Sequence, residues 1–365
     1  GRGGGIDYVG LNLRAAEKAR SISAFQSAST YAAEGIACLP SDKWQSQHDI
    51  TLRLYTVATE MALALGRTEE MEEYSDEVLA QSSISIVDKV PVYNAKFRKL
   101  STIDLKYDDT IDFCLSVLCK LGVEVAKNRR MLAVKAVASL LKIVHQAKKI
   151  PMSTFENPTV MEDPKLKAAM FFLFRLYYAS YLSKNDYLLI LSVTQMVRLT
   201  LAHGVSPMAG PGYAALGMLT VGGLHDYQTA AYFAKTALLI QKTVSSKHTD
   251  ASTFVIAYTF VLPLQSQCQL FISPMSSAYN SGMQSGNTEY ALWALLAQHC
   301  CLPFFLGKPL GPILAKYKSI VSHIEEGKQI DHIMMVKIMW HLFRRLTGDE
   351  DATKNLISEV LATEV

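Results

Sequence analysis

Residues 49–66, "DITLRLYTVATEMALALG", and the residues after them, "RTEEMEEYSDEV" (67–78), decide the fold class. In the first stretch Ile50, Leu54, Val57, Met61 and Leu65 recur at helical spacing and share one stripe. Gly66 then stands where a left-handed helix end favours a residue without Cβ. In the second, Thr68 is placed to cap a new helix and Met71, Tyr74 and Val78 form its buried stripe. Glu69, Glu70, Glu72 and Glu73 fill its first turns, where the helix dipole favours negative charge. Together they predict a helical hairpin closed by a very short turn.

The same corner recurs along the chain. "LKYDDTIDFCLSVL" near Lys106, "LSKNDYLLILSV" near Lys184 and "GGLHDYQTAAYFAKTALL" near Gly223 each pass from a helix through a small or polar turn into a helix with an early aromatic residue. So does "AYNSGMQSGNTEYALWAL" (278–295). There Gly286 is expected to end one helix and Asn287 to cap the next, with Glu289 in the first turn and Tyr290, Trp293, Ala294 and Ala297 facing inward. Ala278 with Gly282, and Tyr279 with Met283, offer i,i+4 surfaces to the return helix. The spacing of the second helices fits a repeat of about 40 residues with one degenerate and one longer unit. Strand and hairpin signals are nearly absent. A single helix pair cannot bury its apolar face alone, so the expected fold is all-α. Its expected form is a TPR-like α-solenoid of stacked antiparallel helix pairs wound as a right-handed superhelix.

Two interruptions organise the chain. "IPMSTFENPTVMEDPK" (150–165) has three prolines and no helical stripe, and reads as an exposed connector between two halves. "AHGVSPMAGPGY" (202–213) has Gly204 as a helix stop with Pro207 just after it. The expected division is a flexible segment over 1–10, helical repeats over 11–149, the connector over 150–165, further repeats over 166–347 and a helix or tail over 348–365.

Composition narrows the class of function. Of 365 residues, 50% are hydrophobic and 19% charged, ample for a large core, and the net charge of +3 gives no broad footprint for a phosphate backbone. Nucleic acid is therefore not expected as a partner. Cys38, Cys114, Cys119, Cys268, Cys300 and Cys301 form no CxxC pair and no zinc spacing, which fits a reduced, cytoplasmic compartment. The first residues contain no apolar core of the signal-peptide kind, and the nearest approach to a glycosylation sequon is "NPT", with its forbidden proline. The chain opens on a glycine run rather than on Met, as expected of a piece of a longer protein. From Ala251 to Thr288 no Asp, Glu, Lys or Arg occurs, yet Pro263, Gln265, Gln267 and Gln269 interrupt the run. A buried helix is expected there instead of a membrane span, because unsatisfied polar groups in lipid are costly.

Several motifs carry the outline of chemistry without its context. "GPGYAA" (210–215) matches the dinucleotide fingerprint but lacks the preceding strand, and "LGKPLG" around Lys308 lacks both the upstream Gly and the hydroxyl residue of a P-loop. "QHCCLPFF" sets His299 beside Cys300 and Cys301, but adjacent helical residues point apart, and core thiols are the expected reading. His203 ends its helix, where the dipole suits it, and the cations of "KIVHQAKK" (142–149) are explained by a helix C-terminus. The aromatic run "MFFLFRLYYASYL" (170–182) reads as core between repeats, with a peptide groove as the alternative. Glu69, Glu70, Glu72, Glu73, Asp76 and Glu77 form the densest charge cluster of the first half: a solvated face, or an edge for a basic partner. No catalytic, cofactor-binding or metal-ligating residue is nominated, and no cofactor is expected.

Several stretches together resemble a known family. "LNLRAAEKARSISAFQSASTYAAEGIACLP", "DDTIDFCLSVLCKLGV", "MVRLTLAHGVSP" and "AYNSGMQSGNTEYALWALLAQHCCLPFFLGKPL" resemble the TPR-like helical region of large multidomain signalling ATPases of the AAA/STAND type, over residues 11 to about 347. The family's corner reads Gly-Asp where this chain has Gly286-Asn287, and its Trp and basic residues just before are replaced by "QSQCQLFISPMSS". The resemblance implies a non-catalytic scaffold that binds protein partners or neighbouring domains of the same chain and couples a signal to an ATPase switch. It brings no catalytic residues. Three alternatives stay open: a free-standing TPR adaptor with a Lys/Arg/Asn carboxylate clamp, a helical enzyme with a polar cleft, and a membrane-associated protein relying on residues 254–272. The oligomeric state is left open.

Overall fold

A computed structural model describes residues 7–125, 132–244, 246–326, 330–352 and 354. Helices account for nearly all of its regular structure, and among the described residues there is no β-strand, only one backbone bridge between Val160 and Val205. The chain forms two compact units, residues 1–113 and 114–365.

The first unit contains α1 (Tyr8–Ser21), α2 (Phe25–Ala37), the short α3 (Lys43–Ser46), α4 (His48–Ala64), α5 (Thr68–Ala80) and α6 (Val90–Arg98). A π-helical turn follows over Lys99–Ile103, and α7 (Tyr107–Lys120) begins in this unit. Small residues let its first helices approach closely. Ala16 and Ala19 of α1, Ala28 and Ala32 of α2, and Val57, Ala58 and Met61 of α4 make one buried cluster. Leu54 joins Val9 and Leu13 in another. The 49–66 stripe is thus buried at Leu54, Val57 and Met61, while Ile50 and Leu65 lie half-buried at its ends. The segment expected to be flexible over 1–10 is already helical from Tyr8, because the Asp7 carboxylate accepts a hydrogen bond from the Gly10 N–H at 2.9 Å and caps α1.

The second unit holds the rest of α7, then α8 (Leu132–Ala147), α9 (Pro164–Leu182), α10 (Asp186–His203), α11 (Ala209–Leu219) and α12 (Tyr227–Thr243). α13 (Lys247–Val255), α14 (Ile272–Ser285), α15 (Thr288–Leu296), α16 (Leu302–Phe305), α17 (Leu310–Glu326) and α18 (Ile330–Leu346) complete it. Sequence neighbours are mostly spatial neighbours: α9 lies on α10, α11 on α12, α14 on α15 and α17 on α18. The run from Ala251 to Thr288 is not one helix. A π-helical turn at Ile256–Val261, a single turn around Pro263 and another at Cys268–Phe271 separate α13 from α14. No helix among the described residues is long and apolar enough to cross a membrane.

The stretch expected to be an exposed joint, 150–165, is mostly exposed, but it is anchored within the second unit and is not a joint between the two. Phe155 is 4% exposed and sits edge-on to Tyr213 at 5.3 Å, and Met161 is fully buried. The backbone is pinned as well: Val205 N–H donates to Thr159 O at 2.8 Å and Met161 N–H to Val205 O at 2.9 Å. Tyr232 donates its hydroxyl to Ile150 O. Two apolar anchors and paired backbone groups hold the segment in place without a helix.

Candidate functional site

The corners are the recurrent local device. After α4, Gly66 N–H donates to Leu63 O at 3.1 Å and Arg67 N–H to Ala62 O at 2.8 Å, with Gly66 at φ +72°. This paired closure satisfies two carbonyls that a helix end otherwise leaves bare. It recurs at Ser23, Gly122, Lys184, Gly286, Gly307 and Gly348, all with positive φ. The caps differ from expectation. α5 starts at Thr68 itself, and the N-cap position just after the closure falls on Arg67, which has no side-chain acceptor to offer, whereas Asn185 at the same position caps α10. Asn287 occupies the N-cap of α15, but its side chain donates to His248 O of α13 at 2.9 Å, so it joins two helices instead of capping one. Gly204 is not a left-handed cap: at φ +93°, ψ 178° it is extended in a region natural only to glycine, and a Cβ there would lie 2.5 Å from Thr159 O. It exists to admit the connector. Pro207 lies in the turn before α11.

The acidic face of α5 is largely answered within its own unit. Glu77 accepts from Trp44 Nε1 at 2.8 Å and meets Lys43 at 3.3 Å; Asp76 pairs with Lys96 at 2.5 Å, Glu72 with Lys99 at 2.9 Å and Glu70 with Arg67 at 3.5 Å. Trp44 and then Lys43 hold the Glu77 carboxyl below the usual carboxylate range. Glu69 and Glu73 make no ion pair among the described residues and point to solvent.

In the second unit the aromatic run of α9 is core. Met170, Phe172, Leu173, Leu176 and Ala179 are fully buried, and Phe174 stacks on Tyr290 of α15 at 5.7 Å. At its centre lies a feature the sequence reading missed. Arg175 and Glu289, 7% and 6% exposed, form an ion pair of 3.1 Å, and the Arg175 guanidinium sits 5.1 Å from the Phe171 ring. Glu289 lies in the first turn of α15, as expected, and is also the buried counter-ion of α9. The one signal available was an Arg inside an otherwise apolar run.

Beside this pair a cleft of about 30 Å³ is lined by Tyr177, Tyr178 and Tyr181 of α9, Ile256 and Phe260 of the π-helical turn, and Tyr290 and Trp293 of α15. That is room for a water molecule or two, far below the volume of a substrate pocket. Its phenols are poor acids and bases, because burial pushes the Tyr177 and Tyr290 hydroxyls well above their ordinary range.

The remaining motifs resolve into packing. "GPGYAA" lies inside the buried α11, where a Cβ on Gly210 would meet Gln241 Oε1 at 2.8 Å and one on Gly212 would meet Met196 at 3.3 Å. Gly210 leaves room for a buried polar knot. Gln241 donates to Asp250 at 2.8 Å and Thr249 at 3.0 Å, and Thr253 donates to Gln241 at 3.1 Å. Lys308 follows the Gly307 corner that leads into α17. Burial raises the Cys300 thiol, which bonds to Tyr317, and pushes Cys301 up to about 11, so neither is a thiolate at neutral pH. Burial, and then Lys316, lower His299. No cluster of three His, Cys, Asp or Glu able to hold a metal occurs among the described residues.

No protein-family model matches the chain, and no curated protein matches it at significant similarity.

Proposed function

We propose that this chain is a non-catalytic helical-repeat scaffold, a TPR-like solenoid that binds protein partners or neighbouring domains. In this reading it serves as the regulatory region of a multidomain ATPase-containing signalling protein. The observation that carries the reading is the recurrence of one helix closure, with the same pair of backbone hydrogen bonds, at corners from Ser23 to Gly348. A corner that repeats through backbone geometry suits a stacked array whose business is surface. The buried thiols and phenols support the same conclusion, since a nucleophile or base needs a pKa near working pH and an open approach.

In such a module a docked partner shifts the balance between arrangements by its differential affinity for them. The test is calorimetric titration of the purified chain with ATP and a non-hydrolysable analogue, together with a phosphate-release assay. Neither heat of binding nor turnover is expected. Saturable nucleotide binding, or hydrolysis abolished by a point change in this chain, would overturn the reading in favour of a helical enzyme.

A further inference from the structure

The apolar side of α8 is wider than the part it buries. Its buried stripe is Ala136, Leu140, Ile143, Val144 and Ala147, against α10 and the turn holding Gly223. A surface helix needs only that stripe, and its opposite face is ordinarily polar. On α8 the face opposite is polar, with Lys142 and His145 around Ala138, but the flank beside the stripe carries Val134, Val137 and Leu141, exposed by 66%, 52% and 52%. The spacing of i, i+3 and i+7 is that of a helix-pairing seam.

Charge sets the sign of what covers it. Between Glu124 and Glu156 the chain has no Asp or Glu, and exposed Lys135, Lys142, His145, Lys148 and Lys149 border the stripe. The dipole accounts for the cations of the last turn, and Lys135 donates to Val125 O at 3.2 Å, which leaves Lys142 and the three aliphatics without a role. Lys142 and Lys149 make no ion pair among the described residues, and Asp226, held below the usual carboxylate range chiefly by Thr229, is lowered further by Lys148. The seam is about 10 Å long and has no Trp or Phe, too little for a membrane anchor and suited to one partner helix.

We propose that the exposed apolar flank of α8 is a docking seam for an acidic amphipathic helix of a partner protein. This rests on the interaction-module reading. The partner seats small or branched apolar side chains against Val134, Val137 and Leu141, and its flanking carboxylates meet Lys135, Lys142 and Lys149.

The test uses the whole chain and an 18-residue fluorescein-labelled peptide of Leu, Ala and Glu, with Leu at i, i+3, i+4 and i+7, read by anisotropy. Binding is expected to weaken about fivefold or more between low and physiological salt. It should fall about tenfold in Leu141→Ser and in Lys142→Glu/Lys149→Glu, which are solvent-facing changes that leave the circular dichroism unchanged. A scrambled peptide of equal charge should bind at least tenfold more weakly. No binding of the patterned peptide, equal binding of the scrambled one, or indifference to both variants would overturn the proposal. So would binding to phosphatidylserine vesicles in place of the peptide, which would reassign the face to a lipid surface. Failure here with no response to ATP removes the seam and leaves the scaffold reading standing, whereas nucleotide turnover removes the reading itself.

Discussion

At the scale of the residue, the corners separate two uses of glycine that look alike in sequence. Gly286 has φ +74° and nothing within 4 Å of where a Cβ would stand, so Gly286→Ala costs only the left-handed backbone penalty, about 1 kcal/mol. Gly204→Ala adds a collision with Thr159 O at 2.5 Å and is expected to cost about 2–4 kcal/mol. Urea denaturation of both variants distinguishes them; equal losses would refute the role of Gly204 in seating the connector. Glu77 offers a second measurement. Its carboxyl is depressed by the Trp44 hydrogen bond and then by Lys43, so its contribution is present above its unfolded value of about 4.3 and is lost as pH falls through the folded value. The carboxyl resonance should therefore titrate below about pH 4.3, and Trp44→Phe should move the midpoint upward. Gly66 and Gly286 were legible from the sequence because a helix end is a local event. The role of the Asn287 amide was not, since its acceptor, His248 O, lies on a different helix.

At the scale of the element, the helices announce themselves and the connector does not. Leu54, Val57 and Met61 show a period that survives any arrangement of neighbours, whereas 150–165 has no period and reads as loop. Its anchoring depends on two residues, Phe155 and Met161, whose partners come from the segment after α10 and from α11. Phe155→Ala should destabilise the second unit by about 3–5 kcal/mol, because it opens a cavity against Tyr213 that close-packed neighbours cannot fill. A loss under about 0.5 kcal/mol in thermal or urea unfolding would restore the picture of an exposed joint. α5 teaches the converse: six acidic residues within nine positions suggest an open patch, yet Lys43, Lys96 and Lys99 from flanking elements answer three of them.

At the scale of the whole molecule, long-range pairing within the second unit decides what composition left open. Arg175 and Glu289 stand 114 residues apart and are buried together, so removing one takes a buried counter-ion from the other. Arg175→Met is expected to cost about 3–5 kcal/mol, and Arg175→Met with Glu289→Gln to recover most of it. Guanidinium unfolding of the single and double variants checks this; additive losses would show that the two charges are not coupled. The sequence by itself determined the helical class and the closures at Gly66, Lys184 and Gly286, because helical periodicity and left-handed closure act within a few residues. Only the tertiary structure decided which polar groups are buried, where the 150–165 segment lies, and that a flank of α8 is left apolar and exposed, because burial is a property of what the rest of the chain brings to a surface.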